Sequence, residues 1–143
     1  MDHFLSPSEE QEIVNAIIQA EKNTSGEIRV HIEQRSDLDA YERAKKVFFE
    51  LEMQKTKERN GVLFYVCLNP KSFVILGDEK IDQVVKTENF WEGTKELIIN
   101  HFKNKMYKDG LVYGILKAGK KLQEFFPAQK DNRDELSNEI SKA

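Results

Sequence analysis

The sequence is short of the residues that mark specialised chemistry. It holds one cysteine, Cys67, among 143 residues. That excludes an intramolecular disulfide, and a thiol inside an apolar run fits a reducing, cytoplasmic setting. His3, His31 and His101 show no ligand spacing such as HExxH, so a zinc centre is not expected. The phosphate-cradling patterns GxxxxGK[ST] and GxGxxG are missing, and so is the GxSxG of a nucleophile elbow. No apolar run has the length of a membrane span. The opening MDHFLSPSEE has neither the basic nor the apolar region of a secretory signal. Membrane insertion is therefore not expected. Basic charge is not in excess: the net charge is −3, with acids and bases mixed along the chain. That balance argues against a nucleic-acid partner.

What is present suits one globular domain. Hydrophobic residues make up 39% and charged residues 33%, enough for a core under a heavily charged surface. The chain centres on Glu58–Asp78, ERNGVLFYVCLNPKSFVILGD. Two apolar runs, Val62–Leu68 and Phe73–Leu76, read as strands bounded by Asn60-Gly61 and Gly77-Asp78. Asn69-Pro70 joins them as a hairpin, with Pro70 expected at the first corner of a type I turn. Both runs are apolar on both faces, which calls for cover above and below.

Upstream, Ser6-Pro7-Ser8-Glu9 opens a helix with a capping box, followed by an apolar stripe of Ile13, Val14, Ile17 and Ile18. Glu27–Glu33 then alternates, with Ile28, Val30 and Ile32 on one face and Arg29, His31 and Glu33 on the other. This is a half-buried strand at an edge or under partial cover. A second helix begins at Asp39, so strand, helix and strand form a βαβ unit with parallel strands. After Asp78 come a short helix with Ile81, Val84 and Val85 inward, a longer one from about Thr87, and a last one carrying Gly110 and Gly114. The glycines predict a close helix approach. The expected fold is α/β, a three-layer α/β/α sandwich on a small mixed sheet. Residues 4–127 form the expected domain, and residues 128–143 are expected to be a polar, flexible tail.

Topology gathers one cluster. The parallel crossover and the returning hairpin bring Glu27, Glu58, Arg59, Asn60 and Asp78 to one end of the sheet. Two uses follow. Carboxylates there would hold a hard cation, Ca²⁺ or Mg²⁺, through oxygen ligands. Alternatively, Arg59 forks onto Glu27 or Asp78 and closes the edge; an arginine at this position favours the pair. The acids around Glu33, Asp37 and Asp39, and those at Asp78, Glu79 and Asp82, read as helix caps. Cys67 reads as a structural thiol.

Five segments together carry a family resemblance: SGEIRVHIE (Ser25–Glu33), ERNGVLFYV (Glu58–Val66), FVILGD (Phe73–Asp78), GLVYGI (Gly110–Ile115) and FFP (Phe125–Pro127). In this order the chain resembles the TPM domain family over about residues 4–127. It is most similar to compact bacterial members without a membrane anchor, relatives of thylakoid-lumen proteins of photosystem II repair. The resemblance implies the α/β/α sandwich, divalent-cation binding at loops, and a phosphatase activity. Many members carry Asp where this chain has Arg59, and Gly-Asp-Tyr where it has Lys105-Met106-Tyr107, so two oxygen ligands are absent. Glu27 and Asp78 remain as candidate metal ligands for weak Ca²⁺ or Mg²⁺ binding. The expected function is a soluble, cytoplasmic module that binds a protein partner or small ligand through Glu27, Arg59, Asn60 and Asp78. The alternative is a divalent-cation-dependent phosphatase at the same edge.

Overall fold

A computed structural model describes residues 4–87, 90–128 and 136–143. Helix α1, Pro7–Glu21, starts on the predicted capping box: Ser6 Oγ accepts from Glu9 N–H, and Glu9 Oε1 accepts from Ser6 N–H. Its buried stripe is Ile13, Ala16, Ile17 and Ala20; Ile18 points outward instead. Strand β1, Glu27–Glu33, leads to α2, Ala40–Glu50, whose first turn is capped by Asp39 Oδ2. A single 3-10 turn, Met53–Lys55, precedes β2, Gly61–Leu68, and β3, Lys71–Gly77. Helices α3, Glu79–Thr87, α4, Glu92–Lys103, and α5, Tyr107–Phe125, follow. A short strand, β4, Ser141–Lys142, completes a four-stranded sheet in the order β3-β2-β1-β4.

The sheet is mixed, as predicted. β1 and β2 run parallel with Glu27 opposite Gly61, and β3 returns antiparallel with Gly77 opposite Val62. β2 is the central apolar strand, and every residue from Gly61 to Cys67 is buried. Its alternate residues serve two cores. Val62, Phe64 and Val66 join Ile28, Val30 and Ile32 against α1, α4 and α5. Leu63, Tyr65 and Cys67 face Ala44, Val47, Phe48 and Met53 on the other side. The result is a three-layer α/β/α sandwich. No helix among the described residues is long and apolar enough to cross a membrane.

α5 packs as its glycines foretell. A Cβ on Gly114 would lie 2.3 Å from Ile98 Cδ1, and one on Gly119 would lie 2.7 Å from Ala20 Cβ. Only hydrogen fits at these crossings. Phe90 and Trp91 are buried core residues.

Two expectations need correcting. The Asn69-Pro70 peptide is cis, and Leu68 pairs with Lys71, so Pro70 occupies the second corner of a type VI turn rather than the first corner of a type I turn. The flexible tail expected over 128–143 falls partly outside the described residues, at 129–135. Its end is docked. Ser141 and Lys142 pair parallel with His31 and Ile32, and Ala143 N–H donates to Ile32 O at 3.0 Å. Backbone pairing needs no apolar pattern, so a polar segment can add to a strand. With β4 paired beside it, β1 is an inner strand rather than an edge, and His31 and Glu33 on its polar face are buried.

Candidate functional site

The sheet has two ends of different character. At the first, the register of β1, β2 and β3 gathers the predicted residues. Arg59, with φ 51 in the left-handed region, precedes β2, and Asp78 follows β3. Arg59 forks onto Asp78: Nε donates to Oδ2 and Nη2 to Oδ1, both at 2.9 Å. Asp78 Oδ1 also accepts Glu79 N–H at 2.7 Å, capping α3. Asp78 is buried, whereas the Arg59 side chain is 40% exposed, so water screens part of the pair.

The other predicted residues are also held. Buried Asn60 donates from Nδ2 to Ser25 Oγ at 3.1 Å, and its carbonyl accepts Glu27 N–H. Buried Glu27 accepts the backbone N–H of Leu136 through Oε1 at 2.7 Å. Of the two predicted partners for Arg59, the structure selects Asp78. Glu27 is met instead by the C-terminal segment, which sequence pattern had set aside. The signal available was slight: Leu136 and Ile140 are the large apolar residues in that polar stretch, and both pack on the cores. Among the described residues, no group of three or more His, Cys, Asp or Glu could hold a metal ion. Met106 lies far from this edge, at the α4–α5 corner beside Lys105 and Tyr107. Arg59 and Met106 therefore stand at opposite ends of the sheet.

The second end is open. A cavity of about 860 Å³ lies between the hairpin tip and the α4–α5 corner. Its walls include Phe4, Val66, Leu68, Phe73, Ile99, Phe102 and Tyr107. The aromatic rings hold one another: Phe4 and Tyr107 centroids are 4.5 Å apart, Phe102 and Tyr107 5.5 Å, and Phe73 and Phe102 5.7 Å. Such edge and tilted contacts make a fixed apolar surface. Lys71, Lys103 and Lys105 also line the cavity, and among the described residues no Asp or Glu does. Lys45, Lys55, Lys108 and Lys142 pair with carboxylates, whereas these three form no ion pair among the described residues. Periodicity could not find this site, because its lining comes from separated segments that meet only in the fold.

Between the ends runs a buried polar row on β1. His31 Nδ1 lies 3.0 Å from Ser141 Oγ, and its ring stacks on Tyr65 at 5.9 Å. Arg43 Nε donates to both oxygens of Glu33 at 2.9 Å. Burial pushes the His31 imidazole below its ordinary pKa, against an opposing pull from Glu33 3.5 Å away. Burial alone would raise the Glu33 carboxyl, but Arg43 and Tyr65 hold it below its ordinary value. Burial, then Glu33, pushes the Tyr65 phenol well up. The row joins α2 and β4 to the sheet.

The TPM domain family matches over residues 1–121. The NMR structure of BA42 protein from the psychrophilic bacterium Bizionia argentinensis is similar to the whole chain. Identity is 51%, the TM-score is 0.93, and the match covers 100% of this chain and 98% of that one. No curated protein matches the chain.

Proposed function

Since the chain belongs to the TPM domain family, we propose that it is a cytoplasmic binding module whose small ligand sits at the open end of the sheet. The cavity carries this reading. It is concave, mainly apolar and furnished with a few polar groups, the usual make-up of a ligand site. It also lies beyond the carboxyl end of β2, where ligands of open α/β sheets commonly sit. The edge of Glu27, Arg59, Asn60 and Asp78 has less to offer, since each side chain already meets another part of the chain. An NMR titration with a panel of small amphiphiles tests the assignment. Amide shifts confined to 66–73 and 99–107 support it; shifts centred on 26–28, 59–61 and 78 would move the site to the opposite end.

The second reading, a divalent-cation-dependent phosphatase at the Glu27–Asp78 edge, draws on two buried carboxylates and a guanidinium at one sheet end. Arg59 would meet phosphoryl oxygens, and Asp78 would exchange its guanidinium for a cation. Turnover of phosphate esters with and without Mg²⁺ or Ca²⁺ is the test. Metal-dependent hydrolysis abolished by Asp78→Asn would establish this reading over the first.

A further inference from the structure

We propose that the open-end ligand is an amphipathic anion, an apolar chain or ring bearing one anionic head; this rests on the cavity being the ligand site. Two independent features converge. The first is shape and surface: Phe73, Phe102 and Tyr107 form one wall system whose contact groups are mostly carbon, so the body of the ligand must be apolar. The second is charge. The chain as a whole carries −3, yet this cavity gathers Lys71, Lys103 and Lys105 and, among the described residues, no carboxylate. Three like charges facing a shared space repel one another, and an anion relieves that repulsion. A neutral hydrophobe would satisfy the walls and leave the repulsion; a small polyanion would satisfy the lysines and leave the walls wet.

The head and body also have natural places. Lysine stems lie along apolar surface while the ammonium stays at the wet rim. Lys71 begins β3 at the hairpin tip, and Lys103 and Lys105 flank the end of α4. The lysines thus reach the cavity from two separate elements, the hairpin tip and the end of α4. An anionic head would remain at that rim with its tail inside. Ammonium groups on flexible stems act as point charges and do not impose the fork geometry of arginine. Carboxylate and phosphate heads therefore share the required chemistry.

The test compares ligands with one tail and different heads. Octanoate, octyl phosphate and octan-1-ol are titrated below their micellar concentrations and followed by amide shifts in 66–73 and 99–107. Either anion should bind roughly three- to tenfold tighter than the alcohol at low salt, with the gap shrinking in high salt. Lys71→Gln, Lys103→Gln and Lys105→Gln combined should remove the gap while leaving alcohol binding and Tm unchanged. The better of the two anions identifies the head. Equal binding of alcohol and anions by the native protein overturns the anion inference and leaves the cavity as the site. No shift with any of the three overturns both.

Discussion

The two ends of the sheet solve opposite problems with similar residue types. At the closed end a cation, Arg59, is consumed by a buried acid that also caps a helix. At the open end three lysines line a mainly apolar cavity, with no Asp or Glu in its lining among the described residues. Charge at the first end is internal to the fold; charge at the second faces whatever enters. The difference teaches that what a charged side chain can do is set by what stands beside it. Arg59 changes what Asp78 is available for, and Met106 stands at the other end of the sheet from both.

The comparison can be broken most forcefully from the closed end. Removing residues 129–143 takes the Leu136 N–H from Glu27, the Ser141 hydroxyl from His31 and the pairing of β4 from β1. A buried carboxylate losing its donor is costly, and we expect Tm to fall by about 5–10 °C. A truncated chain that melts with the native one would show that the closed end needs no C-terminal lock.

Asp78→Ala ranks next. It removes both the Arg59 fork and the cap of α3, for a loss of about 2 kcal/mol in chemical denaturation. Asp78→Asn keeps the cap and should lose about half as much. Equal losses from the two would place the effect in the charge pair alone.

Cation binding sharpens the comparison further. Calorimetry on the native protein should register Ca²⁺ binding no tighter than about millimolar. Arg59→Asp should strengthen it by placing a carboxylate beside Asp78, whereas Met106→Asp should not, being at the other end. Micromolar binding by the native chain, lost in Asp78→Asn, would show that the cation displaces Arg59.

Acid probes the seam between the ends. His31 has its pKa lowered mainly by burial, so its contribution is complete above the unfolded value near 6.5 and is lost as pH falls below it. Glu33 is also lowered, despite its burial, because Arg43 and Tyr65 favour the carboxylate. Its contribution is lost as pH falls through its own lower range. Tm should therefore begin to drop below about pH 6.5 and drop more steeply below about pH 4.5. His31→Gln should remove the upper part of that decline; an unchanged profile would mean that His31 titrates as freely as a solvated residue.

The smallest effect belongs to the open end. The three lysines combined as glutamines should change stability by no more than about 0.5 kcal/mol, since exposed charges without partners contribute little to folding.

Much of this was legible in the residues. The runs 62–68 and 73–76 read as a hairpin, and the strand–helix–strand order gave 27–33 as a parallel neighbour; its alternation marked a strand but not the burial of its polar face. The gathering of Glu27, Arg59, Asn60 and Asp78 followed from topology alone. The docked C-terminal strand was hidden for a physical reason: Ser141 and Lys142 pair through backbone groups that every sequence possesses. His31 and Glu33 looked solvated for the related reason that their partners, Ser141 and Arg43, are named only by the fold. The cavity was hidden because concavity has no period.

The glycines of α5 carry one further consequence. A methyl group on Gly110 would stand 2.9 Å from His101 Cβ and 3.3 Å from Phe102 Cδ1. Phe102 is a wall of the cavity, and Gly110 is not. The position of that wall therefore depends on how near α5 can lean on the end of α4. Gly110→Ala would act as a shim, tilting the Phe102 wall while leaving every lysine and every other lining group chemically intact.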